Sequence, residues 1–260
     1  MSFQLSAAII TFNEAHRLHR ALDSLIDIAD EVVIVDSHST DGTLDLIEKY
    51  KEKLNIKVEQ RPFPGHIEQK NFAIDLCTHD YILSIDGDEA LNKDMREQVL
   101  TFKNSNSPAQ GVYFKRLTNY NGFWVRHCGW YPDWKLRLFH KDYARWTGKN
   151  PHDIIQMKAG SKIERYTGEI LHYSYLSVSD HVKQTNKFTT IAAKAAFDDG
   201  KRCGAISPFF RGVLKFLRDY FIKLGFLDGR NGLTICTINA LYVFLKYTKI
   251  HELGLGKNID

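Results

Sequence analysis

Cysteine is scarce in this 260-residue chain, with only 4 present. Cys77, Cys128, Cys203 and Cys236 stand 51, 75 and 33 positions apart, so there is neither a CxxC pair of zinc type nor the dense spacing of a disulfide-stapled domain. A reducing compartment is the expectation. With 6 Pro and 17 Gly, the chain is too poor in both for a collagenous or low-complexity class. A long hydrophobic run is also missing. The longest nearly apolar stretch, residues 233–245, is 13 residues long and contains Asn239, against the roughly 20 that a spanning helix needs. The start, Met1-Ser-Phe-Gln-Leu-Ser, has no basic region and runs into what reads as a core strand, so no secretory signal is expected. No GxGxxG follows any strand-like run, which argues against a dinucleotide-dependent dehydrogenase.

What is present is an ordinary globular composition, 43% hydrophobic and 25% charged, with an uneven distribution of charge. The formal net charge is +4, but residues 201–260 hold 10 Lys+Arg against 4 Asp+Glu, which leaves residues 1–200 at −2. Basicity confined to one end points to an anionic partner.

Over the first hundred residues, short apolar runs alternate with helical periodicity, the pattern of a parallel sheet with crossover helices. Strands are expected at Ala7-Ala-Ile-Ile-Thr11, Val32-Val-Ile-Val35, Ile56-Lys-Val58 and Tyr81-Ile-Leu-Ser-Ile85. Helices are expected from Asn13 through Leu18, Leu22, Leu25 and Ile26, after a cap at Asp41 or Thr43, over 66–77 and over 93–102. Beyond residue 110 the expected strands, Gly111-Val-Tyr-Phe-Lys-Arg116 and Lys135-Leu-Arg-Leu-Phe139, suit antiparallel additions. Helices follow over 178–199, 208–224 with Ser207 as cap, and 232–246. In the second of these, Phe210, Leu214, Leu217, Phe221 and Leu224 form one stripe and Arg211, Lys215 and Arg218 the next, which is a basic amphipathic helix.

In open α/β sheets ligands bind at the carboxyl ends of strands. Here those ends carry Thr11-Phe-Asn-Glu14, Asp36-Ser37 and Asp86-Gly-Asp88-Glu89. Two carboxylates flanking one small residue on a turn suit a hard divalent cation that bridges phosphates, or a ribose.

The motifs Ala8-Ile-Ile-Thr-Phe-Asn-Glu14, Val32-Val-Ile-Val-Asp-Ser-His-Ser-Thr-Asp-Gly-Thr43, Gln69-Lys-Asn71 and Ile85-Asp-Gly-Asp-Glu89 together resemble glycosyltransferase family 2, the inverting transferases of GT-A fold. Gly129-Trp-Tyr-Pro-Asp-Trp-Lys-Leu-Arg-Leu-Phe139, Pro151-His-Asp153, Ile170-Leu-His172 and Gly225-Phe-Leu-Asp-Gly229 are similar to the bacterial subgroup that adds β-1,4-glucose to the heptose of the lipopolysaccharide inner core. The resemblance implies an α/β fold, a Rossmann-like mixed sheet flanked by helices with a C-terminal helical, basic amphipathic extension. It divides the chain into a transferase domain, 1–200, with a nucleotide-sugar half at 1–110 and an acceptor half at 111–200, and an extension at 201–260.

The resemblance further implies a UDP-sugar donor and a divalent cation, Mg²⁺ or Mn²⁺. Thr11, Asn13 and Glu14 would frame the uracil pocket, Asp36 would accept from uracil or ribose, and Lys70 would approach the diphosphate. Asp86 would face ribose and metal, and Asp88 would be the principal metal ligand. His172 would be a third metal ligand or would close the site, the alternative being a satisfied histidine at a strand end. Arg137 would support the diphosphate or an anionic acceptor, or serve as an ion-pair partner. An inverting displacement needs one carboxylate base opposite the leaving group. Asp153 matches the acidic position of the family's His-Glu element, one methylene shorter, and Asp133 is the alternative. Trp124, Trp130, Tyr131 and Trp134 read as a sugar-stacking cluster or a minor core, and His127-Cys128 as structural.

The expected partners are a nucleotide sugar, a lipid-anchored oligosaccharide acceptor and the anionic inner leaflet. Residues 205–250, including Tyr242, Lys246, Tyr247 and Lys249 of the last helix, would hold a cytoplasmic enzyme peripherally at the membrane. A sugar-nucleotide nucleotidyltransferase would need a Gly- and Arg-rich loop after the first strand, which Thr11-Phe-Asn-Glu14 lacks. Nucleic acid is not an expected partner, because a carboxylate-lined edge repels phosphate unless metal intervenes.

Overall fold

A computed structural model describes residues 3–105, 107–149 and 152–259. Along the chain run β1 (Leu5–Thr11), α1 (Leu18–Leu25), β2 (Glu31–Asp36), α2 (Thr43–Tyr50), β3 (Ile56–Gln60), α3 (His66–Asp75), β4 (Tyr81–Asp86), β5 (Glu89–Leu91) and α4 (Lys93–Asn104). Then come β6 (Gly111–Tyr120), β7 (Phe123–Val125), β8 (Asp133–His140), β9 (Ala144–Lys149), β10 (His152–Met157), β11 (Ile163–Tyr175), α5 (Val178–Asp198), α6 (Ser207–Leu217) and α7 (Gly229–Gly254). They form two compact units, Met1–Arg116 with Asp133–Tyr173, and Leu117–Pro132 with Ser174–Asp260.

In the first unit β3, β2, β1 and β4 are parallel neighbours, and the sheet continues through β8, β6, β11 and β5. The pairings β4–β8, β6–β8 and β11–β5 are antiparallel. This is the expected mixed sheet. Successive side chains of a strand point to opposite faces, and β2 shows the consequence: Val32 and Ile34 join the cluster that includes Leu18, Leu22 and Phe102, whereas Val33 and Val35 join Ala73, Ile74 and Trp146. Both faces are covered, so β2 is apolar throughout. Its first residue, Glu31, is buried but accepts from Ser6 Oγ, Thr78 N and Thr78 Oγ1.

Register places the candidate chemistry. Thr11 pairs with Asp36 and Ile10 with Asp86, so the ends of β2 and β4 flank the end of β1. Several element boundaries differ from expectation, among them the last helix, expected over 232–246 and found as α7 from Gly229 to Gly254. Helix α1 opens at Leu18 rather than Asn13, because Asn13 has a φ of 55° and Glu14 O accepts from Arg17 N and Leu18 N in a turn. Ser207 is inside α6, its Oγ accepting from Arg211 Nε at 2.9 Å, and does not cap the helix. The helix expected over 208–224 ends at Leu217 and continues as a π-helical turn, Arg218–Ile222.

In the second unit β7 pairs with the last residues of β6, Thr118 to Tyr120. Tyr120, Val125, Cys128, Ile235 and Cys236 form one small core, and Ala193, Ala196 and Ile250 another. His127, with Asp228 beside its ring at 2.6 Å and accepting from its backbone N at 2.9 Å, is a structural pin. The Gly225–Asp228 turn carries that aspartate against a tight approach: a Cβ on Gly232 would lie 1.9 Å from Gly225 O.

Candidate active site

The loops after β1 and β2 are tied to each other. Asn13 N donates to Ser39 Oγ at 2.8 Å, and Asn13 Oδ1 accepts from Thr40 N at 2.8 Å. Asp36 is wholly buried and accepts from Ser39 N at 2.9 Å and Gln60 Nε2 at 3.1 Å. Glu14 is clasped by Arg17 through Nε and Nη2, both at 2.7 Å, while burial pushes its carboxyl above the usual range. Thr11 Oγ1 is buried without a partner. All four residues thus sit at one edge of the sheet, but Glu14 presents a carboxylate already engaged.

Helix α3 brings in Lys70, and its neighbours show how. Asn71 Nδ2 donates to Trp146 O at 2.9 Å and Asn71 Oδ1 accepts from Trp146 N at 3.0 Å, which staples α3 to β9. Gln69 Nε2 donates to Ser37 Oγ at 3.1 Å. Lys70, 7% exposed, lays its ammonium 4.1 Å from the Trp146 ring centroid and bonds Asp153 Oδ2 at 2.8 Å and Asp86 Oδ1 at 3.0 Å.

Asp86 is also held by Arg137 Nη2 at 3.2 Å, and the same nitrogen reaches Glu89 Oε1 at 2.7 Å. Burial opposes the charged form of Asp86, yet Lys70 and Arg137 hold its carboxyl well below the usual carboxylate range. Burial likewise opposes charge on Arg137, and Glu89 and Asp86 overcome it, raising the guanidinium further. Arg137 Nε and Nη1 are buried without a partner. Asp133 takes Arg116 Nη2 at 2.7 Å and Lys135 Nζ at 3.1 Å, and Arg116 Nη1 lies 3.9 Å from Glu89. Lys135, Asp133, Arg116, Glu89, Arg137, Asp86, Lys70 and Asp153 therefore form one row of alternating charge.

Asp88 faces His172, Oδ2 to Nε2 at 3.4 Å. Burial works against its charge, and His172 nevertheless holds it below the usual range. His172 reaches the site because β11 pairs it with Glu89. Its Nδ1 is buried and unpartnered. Among the described residues no three His, Cys, Asp or Glu side chains form a ready metal cage.

A cavity of about 560 Å³ is lined by Lys70, Asp86, Arg116, Trp134, Arg137, Trp146 and Asp153, among others. That volume suits a small-molecule ligand. Of the expected residues it gathers Lys70, Asp86, Arg137 and Asp153. The aromatic cluster divides. Trp134 lines this cavity, while Trp130 packs against Tyr120, Tyr175 and His181 in the second unit. Pro151 of the Pro151-His-Asp153 element lies outside the described residues. Sequence reading placed Glu89 at the strand end without a role of its own, and missed Arg116 and Trp146 as members of the site. Glu89 stands beside the Asp86-Gly-Asp88 turn and was open to suspicion; nothing local marks Trp146.

The glycosyl transferase family 2 model matches residues 6–165. An uncharacterized glycosyltransferase of Rickettsia bellii is 32% identical, covering 98% of this chain and 88% of its own length. The lipopolysaccharide core biosynthesis glycosyltransferase LpsC of Rhizobium meliloti is 31% identical, covering 98% of this chain and 96% of its own. A mannosyltransferase of Pyrobaculum calidifontis, solved with GDP-Man and Mn²⁺, superposes with a TM-score of 0.53 at 17% identity, over 92% of this chain and 74% of that one. The mixed sheet flanked by helices is of the GT-A kind, and with the family model spanning more than half of its length, the chain is a glycosyltransferase that belongs to glycosyl transferase family 2.

Proposed function

We propose that this enzyme transfers a hexose with inversion, glucose from UDP-glucose, to an inner-core heptose of lipopolysaccharide or lipooligosaccharide. The observation that carries the reading is Lys70, whose ammonium joins Asp153 and Asp86 on the wall of one sugar-sized cavity. Transfer to a hydroxyl needs a base on the acceptor side and cations at the leaving diphosphate. This cavity holds both.

Thr11, Asn13, Glu14 and Asp36 take uracil and ribose at the ends of β1 and β2, with Asp86 beside them. Lys70 turns to the diphosphate, which gives the ammonium a replacement anion and releases Asp153 to accept the acceptor's proton. Arg137 keeps Asp86 oriented and adds positive charge behind the leaving group. Asp133 is the second candidate for the base, but two cations already neutralise it. Mg²⁺ or Mn²⁺ binds through few protein carboxylates together with substrate phosphates, so Asp88 and His172, with Asp86 nearby, fit such an ion. It would supply neutralisation of charge on the departing UDP.

The core-biosynthesis name of the LpsC relative supports the acceptor class; another cell-surface polysaccharide or glycolipid is the alternative acceptor. We assign donor chemistry to residues 1–110, acceptor chemistry to 111–200 and attachment to 201–260. The enzyme works in the cytoplasm at the inner face of the membrane, where sugar nucleotide and a lipid-anchored acceptor meet. No helix among the described residues is long and apolar enough to cross a membrane.

The test is thermal unfolding with UDP and Mn²⁺ against UDP alone, followed by transfer assays. Metal-dependent stabilisation that Asp88→Ala removes is expected, and no shift with any nucleotide sugar would sink the reading. Asp153→Asn should abolish transfer while leaving UDP binding intact; full activity would move the base to Asp133.

A further inference from the structure

Between residues 206 and 233 of the second unit, 12 large apolar side chains are exposed, from 40% at Val213 to 73% at Ile222. On α6, Phe210, Leu214 and Leu217 recur at helical spacing and are 58%, 65% and 44% exposed. Apolar exposure of this density marks a surface with a partner. The charge pattern indicates which partner. The segment has 5 Lys+Arg and 2 Asp, and both aspartates face inward. Asp219 is fully buried, bonding Lys215 at 2.7 Å and Arg218 at 3.1 Å, and Asp228 is 6% exposed against His127. The surface therefore presents apolar side chains and positive charge, with no exposed carboxylate.

We propose that residues 206–233 are a bilayer-insertion face. Phe210, Leu214, Leu217, Ile222 and Leu227 enter the acyl boundary of an anionic leaflet, and Arg211, Lys223 and Arg230 meet its phosphates. A second copy of the chain is a poorer occupant, because its cations would face these cations with no exposed carboxylate to answer them. The face is narrower than the 205–250 expected from sequence. Lys249 is 8% exposed and its ammonium bonds Asn186 O at 3.0 Å, Thr189 Oγ1 at 3.0 Å and Thr190 Oγ1 at 2.8 Å, so it cannot reach a headgroup.

The inference deepens the membrane placement proposed above and rests on it for the acceptor's location. Its test needs no donor, acceptor or metal, so either reading can fail alone. The full chain is sedimented with vesicles of phosphatidylglycerol and phosphatidylethanolamine in about equal parts, and with pure phosphatidylcholine. Binding to the first and not the second, weakened by salt, is expected. Phe210→Ser, Leu214→Ser and Leu217→Ser combined should weaken it about tenfold or more, and Lys223→Gln or Arg230→Gln about fivefold each. An unchanged Tm in thermal melting serves as the folding control. In Leu217→Trp, fluorescence should be quenched by acyl-brominated lipid. Equal binding to both vesicles, none to either, or an unquenched tryptophan overturns the proposal. Self-association in sedimentation velocity that the triple variant abolishes would assign the face to a second copy instead.

Discussion

His181 is 4% exposed, with its ring against those of Tyr120, Trp130 and Tyr175 and its Nδ1 3.3 Å from the Tyr120 hydroxyl. Burial lowers its pKa from 6.5 to about 4. The unfolded chain therefore binds this proton first as pH falls, and the stability that depends on neutral His181 is intact above about pH 6.5 and lost towards pH 4. The loss amounts to about 3 kcal/mol over that window. Melting curves between pH 7 and 4 should show it, and His181→Gln should flatten that part of the pH dependence even if its stability at pH 7 is lower. At the same scale, Lys70→Met is expected to abolish transfer by taking from Asp86 and Asp153 their shared cation, whereas Lys70→Arg should retain a measurable fraction.

At the scale of elements, α3 shows what a three-residue motif does. Gln69, Lys70 and Asn71 are consecutive, yet one reaches the β2 end, one the cavity and one the backbone of β9. Asn71→Ala removes two bonds to Trp146, and a stability loss of about 1–3 kcal/mol with a larger loss of transfer is the expected outcome in paired melting and activity assays. Gly232→Ala forces a Cβ onto Gly225 O, so the second unit should lose about 3 kcal/mol or more, visible as a lowered Tm. Strands β1, β2 and β4 were legible because they are apolar on both faces and end in turn chemistry. β9 to β11 were not, since much of their surface is exposed and their patterns mix polar with apolar residues at strand and helix spacings alike. The start of α1 was misplaced because apolar periodicity says nothing of the positive φ at Asn13. Individual site residues were legible as strand-end carboxylates. Their partnerships were not, since Asp153–Lys70, Asp86–Arg137 and Glu89–Arg137 join positions 83, 51 and 48 residues apart.

For the whole molecule, the formal charge of +4 averages over a slightly acidic 1–200 and a 201–260 at +6. If the insertion face delivers the enzyme to a lipid-borne acceptor, then Phe210→Ser with Leu214→Ser should lower kcat/KM on acceptor in vesicles and leave it unchanged on the delipidated, water-soluble oligosaccharide. Equal losses on both would mean that the substitutions disturb the enzyme itself. The row of alternating charge from Lys135 to Asp153 has a consequence for any mutational scan of this site. The six inner members each have a neighbour of opposite sign on both sides, and only Lys135 and Asp153 have one, so neutralising a member takes away part of a neighbour's pairing, and the measured loss belongs partly to that neighbour. Losses of stability along the row will not add: Asp86→Asn with Asp153→Asn should lower Tm by more than the sum of the two single effects, because each single variant leaves Lys70 one anion and the double leaves it none.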